Sequence, residues 1–111
     1  MSRQSIFDMK VSKVYPLLVA KAERKGRTKA EVDEVTTWLT GYDMETADPD
    51  VTYAEFFDNA PAYNPRAELI TGKICGIQVE TIEDPLMKKI RQLDKLVDEL
   101  AKGKPMAKIL R

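Results

Sequence analysis

Apolar positions recur along this chain mainly at helical spacing, and most clearly near its end. Leu86, Met87, Ile90, Leu93, Leu96, Val97 and Leu100 fall on one broad face. That spacing predicts a long amphipathic helix. Asp84 is placed as its N-cap, Pro85 as its first residue and Gly103 as its stop. Asp84/Lys88 and Asp98/Lys102 stand four apart in the favourable orientation for ion pairs. The steps 86, 90, 93, 97, 100 alternate four and three, as in a coiled-coil seam. The stripe is wider than a seam, which suits a core helix. Packing on a second copy is the alternative. After Pro105, Met106, Ile109 and Leu110 would anchor a terminal turn.

Three further helices are predicted upstream. The first is expected to start at Ser12 as N-cap and to bury Val14, Leu17, Leu18 and Ala22, with Pro16 near its first turn and Gly26 as its stop. The second carries a capping box, Thr28 with Glu31, ahead of Val32, Val35 and Leu39, and ends at Gly41. Thr52 and Glu55 repeat that box before Phe56 and Phe57, and Pro61 forces an end near Asn59. Asn64-Pro65 predicts one or two more helical turns through Leu69. The segment between Tyr42 and Val51 has no periodicity and reads as a loop. In residues 70–82, β-branched side chains, Gly72 and Gly76, and the alternation of Ile77 and Val79 with Gln78 and Glu80 predict a short hairpin. Two strands alone are marginal in water, so the hairpin must pack on the helices. The fold class is therefore α+β, mostly helical: about four helices, a small hairpin and a long C-terminal helix, in a single domain over residues 1–111.

Composition narrows the chemistry mostly by exclusion. A chain of 111 residues that is 43% hydrophobic can build one modest core. No apolar run is long enough to span a membrane, and the first residues lack the apolar stretch of a signal peptide. With no histidine, His-dependent triads and His–metal sites are absent; one cysteine allows no internal disulfide. The formal net charge is zero but segregated. Residues 1–29 carry eight basic and two acidic side chains, whereas residues 30–60 carry nine acidic and no basic ones. Residues 84–111 carry eight basic and four acidic ones. Such blocks suit parts of one fold, or two subunits, meeting through opposite fields.

Each candidate site has an ordinary structural explanation beside it. Cys75 is a candidate nucleophile, with Lys73 two residues away on the same strand face as its activator. A buried small apolar residue is the ordinary reading. Gly72-Lys73 lacks the rest of a phosphate-binding loop. Lys21, Arg24, Lys25, Arg27 and Lys29 surround a turn into a helix N-terminus, a candidate anion site. The two helices there resemble a helix-turn-helix, but Glu31, Asp33 and Glu34 would repel phosphates, so nucleic-acid binding is disfavoured. Asp43, Glu45, Asp48 and Asp50 do not meet calcium-loop spacing. Trp38, Tyr42, Tyr53, Phe56, Phe57 and Tyr63 either line a small-molecule pocket or form the seam between helices. The candidate ligand-binding residues are thus Arg24, Arg27, Lys29, Trp38 and Tyr42. No catalytic constellation, metal site or cofactor is expected.

Two stretches resemble a known family. Ala22–Tyr42, with the preceding VYPLLVAK, and the region from Leu69 onward are similar to the domain of unknown function 2200 family of bacterial proteins. The motifs are KGRTKAEVDEV, WLTG, ITGK, CG, EDPLM and LAKGKPM. The loop Asp43–Val51 carries none of them. The resemblance implies a stand-alone bacterial cytoplasmic protein and brings no activity, cofactor or catalytic residue with it. The functional expectation is a non-enzymatic interaction or structural module that self-associates as a homo-oligomer, a homodimer in the simplest case. The alternative is a small-molecule or anion-binding protein, or an enzyme, using Lys73, Cys75 and the basic turn 24–29. A small anion or an acidic protein surface would be its partner.

Overall fold

The computed structural model describes residues 6–74 and 76–111. Its elements are α1 (Val11–Glu23), α2 (Lys29–Thr40), α3 (Tyr53–Asp58), β1 (Lys73–Ile74), β2 (Ile77–Gln78), α4 (Pro85–Ala101) and α5 (Met106–Ile109). Short 3-10 turns occupy Ile6–Asp8, Pro65–Leu69 and Val79–Thr81. The fold is α+β and mostly helical, with α4 as its spine. Helices α1, α2, α3 and α5 and the hairpin all pack on α4.

Local signals set most helix ends. Both capping boxes form: Thr28 Oγ1 accepts from the Glu31 amide at 3.2 Å, and Thr52 Oγ1 from the Glu55 amide at 3.2 Å. Asp84 caps α4, accepting from the Leu86 amide at 3.0 Å. That carboxylate makes no ion pair with Lys88, because the amides at the helix start engage it. Asp98 and Lys102 do pair, at 3.1 Å. The turn at Asn64-Pro65 is 3-10 rather than α.

The first helix departs from expectation in three ways. It starts at Val11, so Ser12 lies inside it and caps nothing. Its leading amides are satisfied by the loop instead: Val11 N–H donates to Val51 O at 3.0 Å and Ser12 N–H to Pro49 O at 2.9 Å. Pro16 sits in the second turn rather than the first. Leu17 is 64% exposed, while Val11, Val14, Tyr15, Leu18, Val19 and Ala22 are buried. The helix is rotated so that its more continuous apolar side meets α4 and α2. Tyr15 fixes that rotation, its hydroxyl donating to Asp33 Oδ1 at 2.6 Å.

The core is continuous around α4. Ile90, Leu93, Leu96, Val97 and Leu100 are fully buried under Val32, Val35, Leu39, Phe56, Phe57 and their neighbours. The wide stripe is thus covered within one chain. A second copy over α4 is not needed to explain it. The hairpin is two residues per strand, antiparallel, with Ile74 opposite Ile77. Ile77 and Val79 do not share a face as alternation predicts: Ile77 is exposed and Val79 buried. The chain turns into its 3-10 turn at Val79, which ends the strand period there.

Candidate functional site

Within the basic turn, Arg27 acts as a structural fastener. Arg27 Nε and Nη2 donate to Glu31 Oε2 at 3.0 and 2.7 Å. Its Nη1 donates to the carbonyl oxygens of Leu100 and Lys104 at 3.3 and 2.9 Å. These acceptors are carbonyls at and just past the α4 C-terminus, where a cation is favourable. Arg27 holds the Glu31 carboxyl below its usual range, with the Thr28 backbone helping. Lys29 pairs with Asp33 at 2.8 Å and Lys21 with Asp98 at 3.4 Å. Arg24 stays exposed. The candidates Arg24, Arg27 and Lys29 therefore do not converge. Lys73 is exposed on β1, its carbonyl oxygen receiving the Lys95 ammonium at 3.2 Å. Cys75 lies outside the described residues.

The aromatic candidates separate into two groups. Tyr53, Phe56 and Phe57 are core. Tyr42 joins them: its ring stacks on Phe56 at 4.4 Å and its hydroxyl donates to Phe56 O at 2.8 Å. Burial raises its pKa. Trp38 instead faces a surface cleft of about 520 Å³ along α2 and the following loop. Trp38, Met44 and Leu110 are its apolar residues. Asp33, Glu34, Asp43 and Glu45 bring four carboxylates to it. Asp33 is engaged by Tyr15 and Lys29. Among the described residues Glu34, Asp43 and Glu45 form no ion pair.

A second cleft, of about 350 Å³, lies between the 3-10 turn Pro65–Leu69 and the start of α4. Tyr63, Lys88, Lys89, Glu68 and Gln92 line it. Gln92 is 4% exposed, a polar residue buried next to an apolar stripe. Both ends of its amide are satisfied: Tyr63 donates its hydroxyl to Oε1, and Nε2 donates to Ala67 O at 3.2 Å. Burial pushes the Tyr63 phenol well above its usual pKa. Lys89 Nζ stands 4.8 Å above the Tyr63 ring, a cation–π contact.

Neither cleft holds a nucleophile beside a general base. Among the described residues no group of three or more His, Cys, Asp or Glu side chains is placed to hold a metal ion. Sequence reading found Trp38 but missed Glu34 and Glu45 as cleft residues, and missed Met44, Leu110, Lys88, Lys89 and Gln92. A signal existed only for Gln92, which interrupts the side of a helix otherwise apolar. Among the described residues no helix is long and apolar enough to cross a membrane.

Comparison with known proteins adds relatives without a role. Residues 5–111 match the family described as "Uncharacterized protein conserved in bacteria (DUF2200)". The crystal structure of uncharacterized protein SP1917 is similar at 51% sequence identity and a TM-score of 0.89, over 98% of this chain and 93% of that one. No curated protein matches the chain.

Proposed function

The chain belongs to the bacterial DUF2200 family, and we propose that it is a non-enzymatic interaction module that self-associates by seating a basic helical ridge in its acidic cleft. The observation that carries this is the cleft around Trp38, Met44 and Leu110, with the carboxylates of Glu34, Asp43 and Glu45, which form no ion pair among the described residues. Unpaired like charges beside apolar surface favour a cationic, partly apolar partner.

The same chain offers such a partner surface on α1. Lys13, Leu17, Ala20 and Arg24 follow at steps of four, three and four, so they form one stripe about 16 Å long at the usual helical rise. Leu17 is the most exposed large hydrophobic residue among those described. Tyr15 points inward to Asp33. Leu17 stands about 200° further round the helix, away from its own cleft. The ridge of one copy can therefore reach only the cleft of another. Such a contact is heterologous and grows into rings or short chains unless two copies satisfy each other.

Sedimentation equilibrium at low and high salt tests the reading. Association beyond 12.6 kDa that weakens with salt is expected, and either Leu17→Asp or the pair Glu34→Lys/Glu45→Lys should abolish it. A monomer at all concentrations in low salt would overturn it, as would association indifferent to both variants.

A further inference from the structure

We propose that the cleft between Tyr63 and the first turns of α4 is a binding site for a small planar carboxylate, an aromatic acid in the simplest case. The site is independent of the acidic cleft and of self-association. Its floor is built rather than incidental. Gln92 lies buried with both amide ends engaged, so Tyr63 is held at a set angle with one ring face beneath Lys89. A buried amide satisfied at both ends is a rigid platform, because moving Tyr63 would leave Gln92 Oε1 without a donor.

The charges around that platform are unbalanced. Lys88 and Lys89 enter the cleft against one carboxylate, Glu68. Among the described residues none of the three forms an ion pair. Lys88 lies within the field of Glu80, which it helps keep ionised, but makes no ion pair with it. Two ammonium groups next to a flat aromatic surface, with proline rings of Pro65 and Pro85 at the rim, match one ligand chemistry: a ring to stack on Tyr63 and a carboxylate to take the two lysines. The bound ring would take the place of Lys89 over Tyr63, and Lys89 would then join Lys88 at the anion. The volume of about 350 Å³ is at the small end of ligand sites, so the ligand is a single ring with few substituents.

A titration of the isotope-labelled protein followed by amide NMR tests this, with benzoate as the probe. Benzamide, which has the ring without the charge, and acetate, which has the charge without the ring, are the controls. The expected result is millimolar binding of benzoate, with shifts at the Gln92 side-chain amide and at Lys88 and Lys89. Benzamide and acetate should each bind about tenfold more weakly or worse. The variant Lys88→Gln/Lys89→Gln should fold normally and lose benzoate by about tenfold or more. Equal binding of benzamide or acetate would overturn the proposal. So would shifts spread away from this cleft, binding unchanged in the double variant, or no response to benzoate.

Discussion

The Arg27 guanidinium donates to the carbonyl oxygen of Lys104 at 2.9 Å, joining residues 77 positions apart. The same group grips Glu31 and Leu100, so one side chain ties the start of α2 to the end of α4. One of the five basic side chains that suggest an anion site is in this way spent on holding two helices together.

Removing that fastener should cost the fold more than an ordinary surface pair. Arg27→Ala takes the two-pronged donor from Glu31 and one donor each from the Leu100 and Lys104 carbonyls, and about 2 kcal/mol of stability should be lost. Arg27→Lys should recover only part, because an ammonium cannot span three acceptors in a plane. Urea denaturation midpoints for the two variants check this, and equal midpoints for Arg27→Ala and the parent would refute it.

The two tyrosines Tyr53 and Tyr63 should respond oppositely to loss of the hydroxyl. Tyr53 Oη is buried with no hydrogen-bond partner among the described residues. Tyr53→Phe should be neutral or stabilising by up to about 1 kcal/mol. Tyr63→Phe strands the buried Gln92 Oε1 and should destabilise by about 1–2 kcal/mol. Thermal melts of both proteins read the sign directly.

Asp94 and Asp98, one turn apart on α4, should give opposite pH dependence. Burial raises the Asp94 pKa, and Arg91 at 3.0 Å offsets this only in part. Its ionised form is therefore a cost that is present at neutral pH and disappears as the acid is protonated. For Asp98, burial also acts upward, but Lys102 and Lys21 outweigh it and hold the pKa below the usual value. Its contribution is favourable above the unfolded-state pKa and is lost as pH falls through the lower folded value. Asp94→Asn should thus gain on the parent at neutral pH, and Asp98→Asn should lose. Both differences should shrink toward zero in acid, which denaturation at several pH values will show.

Two glycines with similar backbone should differ in their tolerance of alanine. Gly41 and Gly103 have φ of 82° and 87°, so both variants carry the strain of a left-handed residue, about 1 kcal/mol. At Gly41 an added Cβ would also sit 2.7 Å from Ala62 Cβ and 2.9 Å from Ala62 N, whereas at Gly103 nothing lies within 4 Å. Gly41→Ala should therefore cost more than about 2 kcal/mol and Gly103→Ala about 1. Matching losses at the two positions would show that Ala62 yields freely.

Much of the fold was legible because its signals are local. A capping box joins residues three apart, and an Asp-Pro start or a glycine stop acts within one turn. The α4 stripe is a period written along one segment. These features gave the second, third and fourth α-helices and the single core. The clefts were not legible in the same way. Trp38 and Leu110 lie far apart in the sequence, and so do Tyr63 and Gln92. Neither pairing follows from any spacing.

By itself the sequence determined which segments are helical, where most of them stop, and that one wide apolar face must be covered. Only the tertiary structure decided what covers it. It also decided that α1 begins on the loop carbonyls of Pro49 and Val51, that Leu17 faces out, and that Arg27 serves α4. The physical reason is range. Backbone hydrogen bonds and caps within a turn depend on neighbours in the chain. The rotation of a helix and the partner of a charged side chain depend instead on how whole elements pack, and the sum of all buried contacts chooses that packing.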